Sequence, residues 1–251
     1  DPLWSRGLGD VYKRQQLLPL HQAAAERVLP EPPAQPPVPG TVAQAWLDGC
    51  AWLPTRDYSI ASVPADGSAQ VVVRLTTRAD GSPGLGSGWL VCHAPLGAPV
   101  RARLRTNPGF HRVEGAPLVL IGNGTGIAGL RALLRDAELA GVHGHWLLFG
   151  ERHRAHDRLF GDELQAWQAA GHLQELDWVF SRDQADKRYV QHRLRERGET
   201  LRHWIDRGAV LYVCGSLDSM AREVDAALRE ILGETRLELL TAAGRYRRDV
   251  Y

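Results

Sequence analysis

Cysteine is scarce in this chain of 251 residues, limited to Cys50, Cys92 and Cys214. An odd and scattered set builds no disulfide framework, which points to a reducing, cytoplasmic setting. Methionine is scarcer, with Met220 alone, so the first residue is expected not to be a natural translation start. Residues 1–15 (DPLWSRGLGDVYKRQ) show no hydrophobic period and read as a tag-like segment outside the fold. No apolar run approaches the roughly 20 residues that span a bilayer, and no basic-then-apolar leader stands at the front. Membrane insertion is therefore not expected. Neither sign of charge dominates: 30 Lys and Arg against 29 Asp and Glu leave a net +1, which gives no overall field to recruit nucleic acid. Zinc spacing is missing too, because no cysteine or carboxylate completes the pairs His143 with His145 and His153 with His156. No metal is expected.

What is present is a hydrophobic content of 44%, ample for a core, and one informative junction. Leu118-Val119-Leu120-Ile121 runs into Gly122-Asn123-Gly124-Thr125-Gly126 and then into a helical pattern. Ile127, Leu130, Leu134 and Ala137 recur every three or four residues, so one helix face packs on a sheet. A buried strand ending in glycines and opening a helix directs backbone N–H groups and the positive helix end at the turn, where nucleotide phosphates bind. Ile127 stands where a third dinucleotide-motif glycine would be, and no Gly-Lys-Ser/Thr follows, which argues against a P-loop.

Along the chain, a helical pattern from Leu17 to Val28 precedes Pro30, Pro32, Pro33, Pro36, Pro37 and Pro39, a spacing that favours an extended linker. Residues 1–40 are thus a tag-like segment and linker. A short helical pattern covers 42–52. Residues 41–116 then hold strand-like runs at 58–63, 71–75 and 100–104, an antiparallel β unit. From 117 to 251, strands at 118–121, 145–149, 176–180 and 210–214 alternate with helical patterns at 127–140, 161–169, 189–197, 201–206 and 219–232. That alternation predicts an α/β, doubly wound parallel sheet with its ligand beyond the carboxyl ends of the strands.

The motifs along 55–251 occur in an order that resembles the ferredoxin-NADP reductase superfamily, its diflavin reductase branch, and within that branch the sulfite reductase flavoproteins. They are Arg56-Asp57-Tyr58-Ser59-Ile60-Ala61-Ser62, Gly84-Leu85-Gly86-Ser87-Gly88-Trp89-Leu90, Gly122 through Ala128, Phe149-Gly150-Glu151-Arg152, Ser181-Arg182 with Lys187-Arg188-Tyr189-Val190-Gln191, Cys214-Gly215 and Gly244-Arg245-Tyr246-Arg247-Arg248-Asp249-Val250-Tyr251. The resemblance implies an NADPH-dependent flavoprotein reductase that passes hydride to FAD and electrons onward to FMN or a redox protein partner. Its fold would be a partial FAD-binding β-barrel over 41–116 followed by an NADPH-binding domain over 117–251.

Residue by residue, the resemblance implies that Arg56, Gly84, Gly86 and Ser87 hold the FAD pyrophosphate and that Tyr58 lies against the flavin. Gly122, Gly124, Thr125, Gly126 and Arg152 would serve the NADPH phosphates. Ser181, Arg182 and Lys187 offer the fixed charge and hydroxyl that a 2′-phosphate demands, while Tyr189 would stack on adenine and Gln191 hydrogen-bond nearby. Asp183 and Asp186 keep an NADH reading open. Ser59, Cys214 and Asp249 would form a polar cluster at the reacting flavin nitrogen, and Tyr251 would cover the flavin face.

The pattern departs from the family at Gly129, where proline is usual, at Phe160, where tyrosine is common, and at Ser216, where aspartate is frequent. Residues 16–54 do not supply the earlier barrel strands. The expectation is a carboxyl-terminal fragment of a longer protein, with a missing FMN-binding flavodoxin-like domain or partner. The alternative is an NADPH-binding fragment that lacks a competent FAD site and is inactive alone.

Overall fold

The computed structural model describes Gly49 and residues 55–100 and 102–251. The proline linker, the helical reading over 17–28 and Cys50 lie outside the described residues, as does the reading over 42–52 apart from Gly49. Two compact units are present. One takes in the described part of Asp1–Asp57 with Val73–Arg103, and the other joins Tyr58–Val72 to Leu104–Tyr251.

In the first unit a helical turn, Leu85–Gly88, continues into a wider turn at Trp89–His93, and Thr77 bridges Pro83 in antiparallel fashion. In the second, Ile60 bridges Val71. Among the described residues up to 116 no continuous strand forms: the runs expected at 58–63 and 71–75 share the single bridge from Ile60 to Val71, and the described part of 100–104 makes none. Alternating apolar residues become strands only where neighbours accept and return their backbone hydrogen bonds.

The larger unit carries β1 (Leu118–Asn123), α1 (Ile127–Leu139), β2 (His145–Glu151), α2 (Gly161–Ala169), β3 (Leu173–Phe180), α3 (Val190–Glu196), α4 (Gly198–Asp206), β4 (Val210–Gly215), α5 (Arg222–Leu232), α6 (Glu234–Ala242) and β5 (Tyr246–Val250). All strands are parallel, in the order β3-β2-β1-β4-β5. The alternation read from the sequence is therefore realised, with α6 and β5 as additions. Strands buried on both faces need unbroken apolar runs, and β2 is buried throughout. Leu118, Leu120, Leu147 and Phe149 face α1 and α2, while Val119, Ile121, Trp146 and Leu148 face the layer of α3 to α6. The chain changes face after β3, which makes the gap between β1 and β4 the switch point where ligands of such sheets bind.

At the amino ends of the strands, fully buried His145 accepts the Leu118 N–H through Nδ1 at 3.1 Å and donates from Nε2 to the Val142 carbonyl at 3.1 Å. Only the neutral ring does both. Burial, then the neighbouring His172, pushes its pKa from 6.5 to about 4. The unfolded chain therefore takes up a proton that the folded chain refuses, so this stability is full above pH 6.5 and is lost as pH falls towards 4. A loss of about 2 kcal/mol between pH 7 and pH 4.5 is expected from urea unfolding at a series of pH values. A flat profile over that range would contradict it.

Among the described residues no helix is long and apolar enough to cross a membrane, and no group of three or more His, Cys, Asp or Glu is placed to hold a metal ion.

Candidate nucleotide and hydride-transfer site

The carboxyl ends of β1 and β4 lie side by side, with Gly122 opposite Cys214. Beyond them the chain makes a short turn over Gly124–Gly126 and enters α1, whose start has no side-chain cap. Helix N-termini without such a cap leave backbone donors for an anion. Gly126 is required here by close approach. A Cβ built on it would run into the Cys214 carbonyl oxygen and lie 2.6 Å from the Cys214 carbonyl carbon. Gly215 is required by conformation, with φ at 141°, and a Cβ there would strike Asn123 Oδ1. That same oxygen accepts the Ser216 N–H at 3.2 Å, tying the end of β1 to the end of β4.

Cys214 is fully buried at the end of β4. Burial, then the nearby Asp249 carboxylate, pushes its thiol pKa well above the ordinary value, so at neutral pH it is a protonated donor and not a thiolate nucleophile. Asp249 stands opposite it on β5. Successive strand residues alternate faces: Tyr246 and Val250 pack on the α3 to α6 layer, which turns Asp249 to the Cys214 side. The thiol reaches Asp249 Oδ2 at 3.9 Å, the Ser59 hydroxyl donates to the same oxygen at 3.0 Å, and Asn107 Nδ2 donates to Oδ1 at 3.1 Å. One carboxylate thus gathers three donors from distant parts of the sequence.

Tyr251 continues the same edge. Its N–H donates to the Gly215 carbonyl at 3.1 Å, its carbonyl accepts the Leu217 N–H at 2.9 Å, and its hydroxyl pairs with Thr125 Oγ1 at 2.7 Å. The ring is more than half exposed. Of the predicted site residues, Ser59, Gly122, Thr125, Gly126, Cys214, Asp249 and Tyr251 are linked in this way, and Gly124 lies in the same turn. Tyr58 is half-buried in the same unit as Ser59.

Arg56, Gly84, Gly86 and Ser87 belong to the other unit. Arg56 is exposed and donates to the Thr55 carbonyl at 3.1 Å. Gly84 opens the turn that contains Gly86, and a Cβ on Gly84 would strike Thr76 Oγ1. Ser87 is buried, accepts the Thr76 N–H at 3.1 Å and pairs with Thr76 Oγ1 at 2.8 Å.

At the ends of β2 and β3 the ladder runs on, with Ser181 N–H donating to the Glu151 carbonyl and Arg182 N–H to the Arg152 carbonyl, both at 2.9 Å. Arg152 and Arg182 are thereby neighbours at the edge, and Lys187 follows in the exposed segment after them. Among the described residues none of these three cations is paired with a carboxylate, whereas the next one, Arg188, pairs with Glu196. Of the two residues that kept NADH open, Asp186 is exposed, and Asp183 is engaged by its neighbours. Asp183 accepts the Arg154 N–H at 2.9 Å and pairs with His153 Nδ1 at 3.2 Å, and the Arg154 N–H is the main cause of its lowered pKa. Tyr189 is exposed at the start of α3, its ring 5.9 Å from that of His192, and Gln191 is buried.

Two residues of the cluster were not singled out from the sequence, Asn107 and Asn123. Asparagine beside proline or between glycines signals a turn, which hides a second role as ligand to another strand end. At Gly129, where the resembling family has proline, a Cβ would sit 3.3 Å from the Phe110 ring and 3.4 Å from the Cys214 sulfur.

Residues 120–226 match the family model described as the oxidoreductase NAD-binding domain. Across 217 residues, 79% of this chain and 36% of the relative, the sequence is 36% identical to the sulfite reductase [NADPH] flavoprotein alpha-component of Neisseria meningitidis. The corresponding protein of Mannheimia succiniciproducens is 35% identical over 83% of this chain and 38% of its own length. That of Yersinia enterocolitica is 38% identical over 79% of this chain. The chain spans little more than a third of the length of these curated relatives. A matching nucleotide domain and this identity over most of the chain identify it as a relative of the sulfite reductase flavoproteins, diflavin reductases of the ferredoxin-NADP reductase family.

Proposed function

We propose that this chain is the NADPH-oxidising part of an NADPH-dependent flavoprotein oxidoreductase, delivering hydride from NADPH to FAD, with electrons passing on to FMN or a redox protein partner. The observation that carries the reading is the convergence of Ser59, Asn107 and Cys214 on Asp249, beside a glycine turn built for phosphates. The residues present fit a dinucleotide: a helix start without a side-chain cap, a strand crossing so close that Gly126 admits no Cβ, and unpaired cations at the neighbouring strand ends. Gly122 to Gly126 and Arg152 would hold the NADPH phosphates. Ser181, Arg182 and Lys187 would hold the 2′-phosphate, with Tyr189 and Gln191 at the adenosine. Arg56, Tyr58, Gly84, Gly86 and Ser87 would hold FAD.

When bound, nicotinamide and flavin supply the hydride chemistry. The chain's own residues orient and screen. The protonated Cys214 and the Ser59 hydroxyl hold the Asp249 carboxylate in place at the switch point, and Tyr251, tethered through Thr125, closes the edge. Fixed dipoles and donors of this kind act by preorganisation and need no rearrangement during transfer.

A second reading, an NADPH-binding fragment without a competent FAD site, is favoured by the lack of any continuous strand among the described residues up to 116. One experiment separates the two: gel filtration with FAD, then anaerobic mixing with NADPH while the flavin absorbance is followed. Retained yellow colour and bleaching support the reductase; NADPH binding without flavin retention supports the fragment. In either case the double change Ser181→Ala and Arg182→Ala is expected to weaken NADPH by about thirtyfold and to leave NADH nearly unchanged, read by titration calorimetry, since charge-assisted contacts to a phosphate are worth about 2 kcal/mol. Equal loss for both nucleotides would overturn the assignment of the 2′-phosphate site.

A further inference from the structure

The segment that carries Ser59 makes no strand ladder, only the single bridge from Ile60 to Val71, yet it presents the Ser59 hydroxyl 3.0 Å from Asp249. What holds it there comes from α1. Arg131 is 9% exposed and commits its guanidinium in two directions. Nε and Nη2 fork onto the Glu163 carboxylate of α2 at 2.5 and 2.7 Å, and Nη1 donates to the Ala61 carbonyl at 2.6 Å. The cation also lies 4.8 Å from the centre of the Phe160 ring. Phe160 is, among the described residues, the one non-glycine residue with positive φ, at 56°. Such a conformation costs on the order of 1 kcal/mol and persists where the surroundings fix it.

Ala61 itself is fully buried, and its N–H is taken by the Gln70 carbonyl at 2.7 Å. A buried carbonyl needs a donor, and Arg131 supplies one. One turn along α1, Arg135 reaches Asp66 at 3.0 Å, while Asp66 also accepts the Val63 N–H at 3.1 Å. Residues four apart lie on one helix face, so the two arginines clasp both ends of the stretch from Ala61 to Asp66. Only Ile60 separates the clasped carbonyl residue from Ser59.

We infer that Arg131 is a positioning residue for hydride transfer: by holding the Ala61 carbonyl against α1 it sets where the Ser59 hydroxyl stands relative to Asp249 and Cys214. This rests on the reductase reading above. Reacting groups tolerate little displacement, and a shift of about 1 Å costs roughly a hundredfold in rate. The guanidinium serves two partners at once through its planar fork; an ammonium keeps the charge without that geometry.

The test compares the parent protein with Arg131→Lys and Arg131→Met in two measurements. The first is amide hydrogen exchange of a peptide covering 58–63, with peptides from β1 and β4 as internal references. The second is anaerobic single-turnover reduction of bound FAD over a range of NADPH concentrations. In Arg131→Met, exchange over 58–63 is expected to rise about tenfold while β1 and β4 stay protected, and the limiting reduction rate to fall at least tenfold with half-saturation by NADPH within about twofold of the parent. Arg131→Lys is expected to recover part of both. Unchanged exchange over 58–63 in a folded variant overturns the inference, as does a loss of NADPH affinity equal to the loss of rate. Should Arg131→Met fail to fold, Arg131→Lys alone decides by the same readings. A parent protein that does not reduce FAD with NADPH removes the reductase reading, and the exchange measurement still decides whether Arg131 holds the segment.

Discussion

Cys214→Ala is expected to slow flavin reduction by NADPH about a hundredfold while leaving NADPH affinity within about twofold. The asymmetry follows from where the thiol points. It is buried at the end of β4 and contacts Asp249, with Gly129 close by, while the glycine turn meets Cys214 at its backbone carbonyl, which alanine keeps. Alanine removes a donor to the carboxylate and leaves a small void beside it. The backbone of the turn and of α1, where the nucleotide would be held, stays as it is. Cys214→Ser supplies the comparison, because a hydroxyl still donates to Asp249 and is expected to retain more of the rate than alanine does. Stopped-flow absorbance gives both quantities from one concentration series. Equal losses of rate and affinity would place the sulfur elsewhere in the reaction.

Gly126→Ala is expected to destabilise the larger unit by about 3 kcal/mol, near the upper end for an overpacked site, and to lower its melting temperature by roughly 10 °C. The added methyl would meet the Cys214 carbonyl group and the Gly215 nitrogen, the latter at 2.9 Å. These are backbone atoms of a central strand, held on one side by β1 and on the other by β5. They have no rotamer to change, so α1 must move away from β4. That movement carries the phosphate turn with it, and NADPH binding is expected to fall below detection in the same variant. Gly150→Ala is the informative contrast, because its methyl would meet a side chain, Val190 at 2.5 Å, and not the backbone of a neighbouring strand. A melting temperature for Gly126→Ala equal to that of the parent would show that the two elements are farther apart in solution.

The central sheet was legible because burial on both faces writes itself as unbroken apolar runs. Leu118 to Ile121, His145 to Phe149 and Val210 to Cys214 were all read within two residues of their observed ends. β5 was not read as a strand. Its residues, Tyr246-Arg247-Arg248-Asp249-Val250, sit at a sheet edge where polar side chains are tolerated, so hydrophobicity carries little signal there. α6 buries only Leu237 and Leu240, too short a repeat to stand out after Gly233 ends α5. The antiparallel runs at 58–63 and 71–75 had the right alternation and formed a single bridge, since pairing depends on a partner that local sequence does not specify. At the site, the glycine turn followed from physical reasoning, while the roles given to Ser59, Cys214, Asp249 and Tyr251 came from resemblance. Arg131 escaped notice because an arginine on an amphipathic helix reads as solvent-facing until the fold brings Glu163 and Ala61 to it.

The three backbone and hydroxyl tethers on Tyr251 bear on how the protein is handled. Any peptide joined after this residue leaves from a point tied to the β4 end and to the glycine turn, so an affinity handle placed there is expected to crowd the nucleotide site proposed above. Purification handles and fusion partners belong at the other end of the chain.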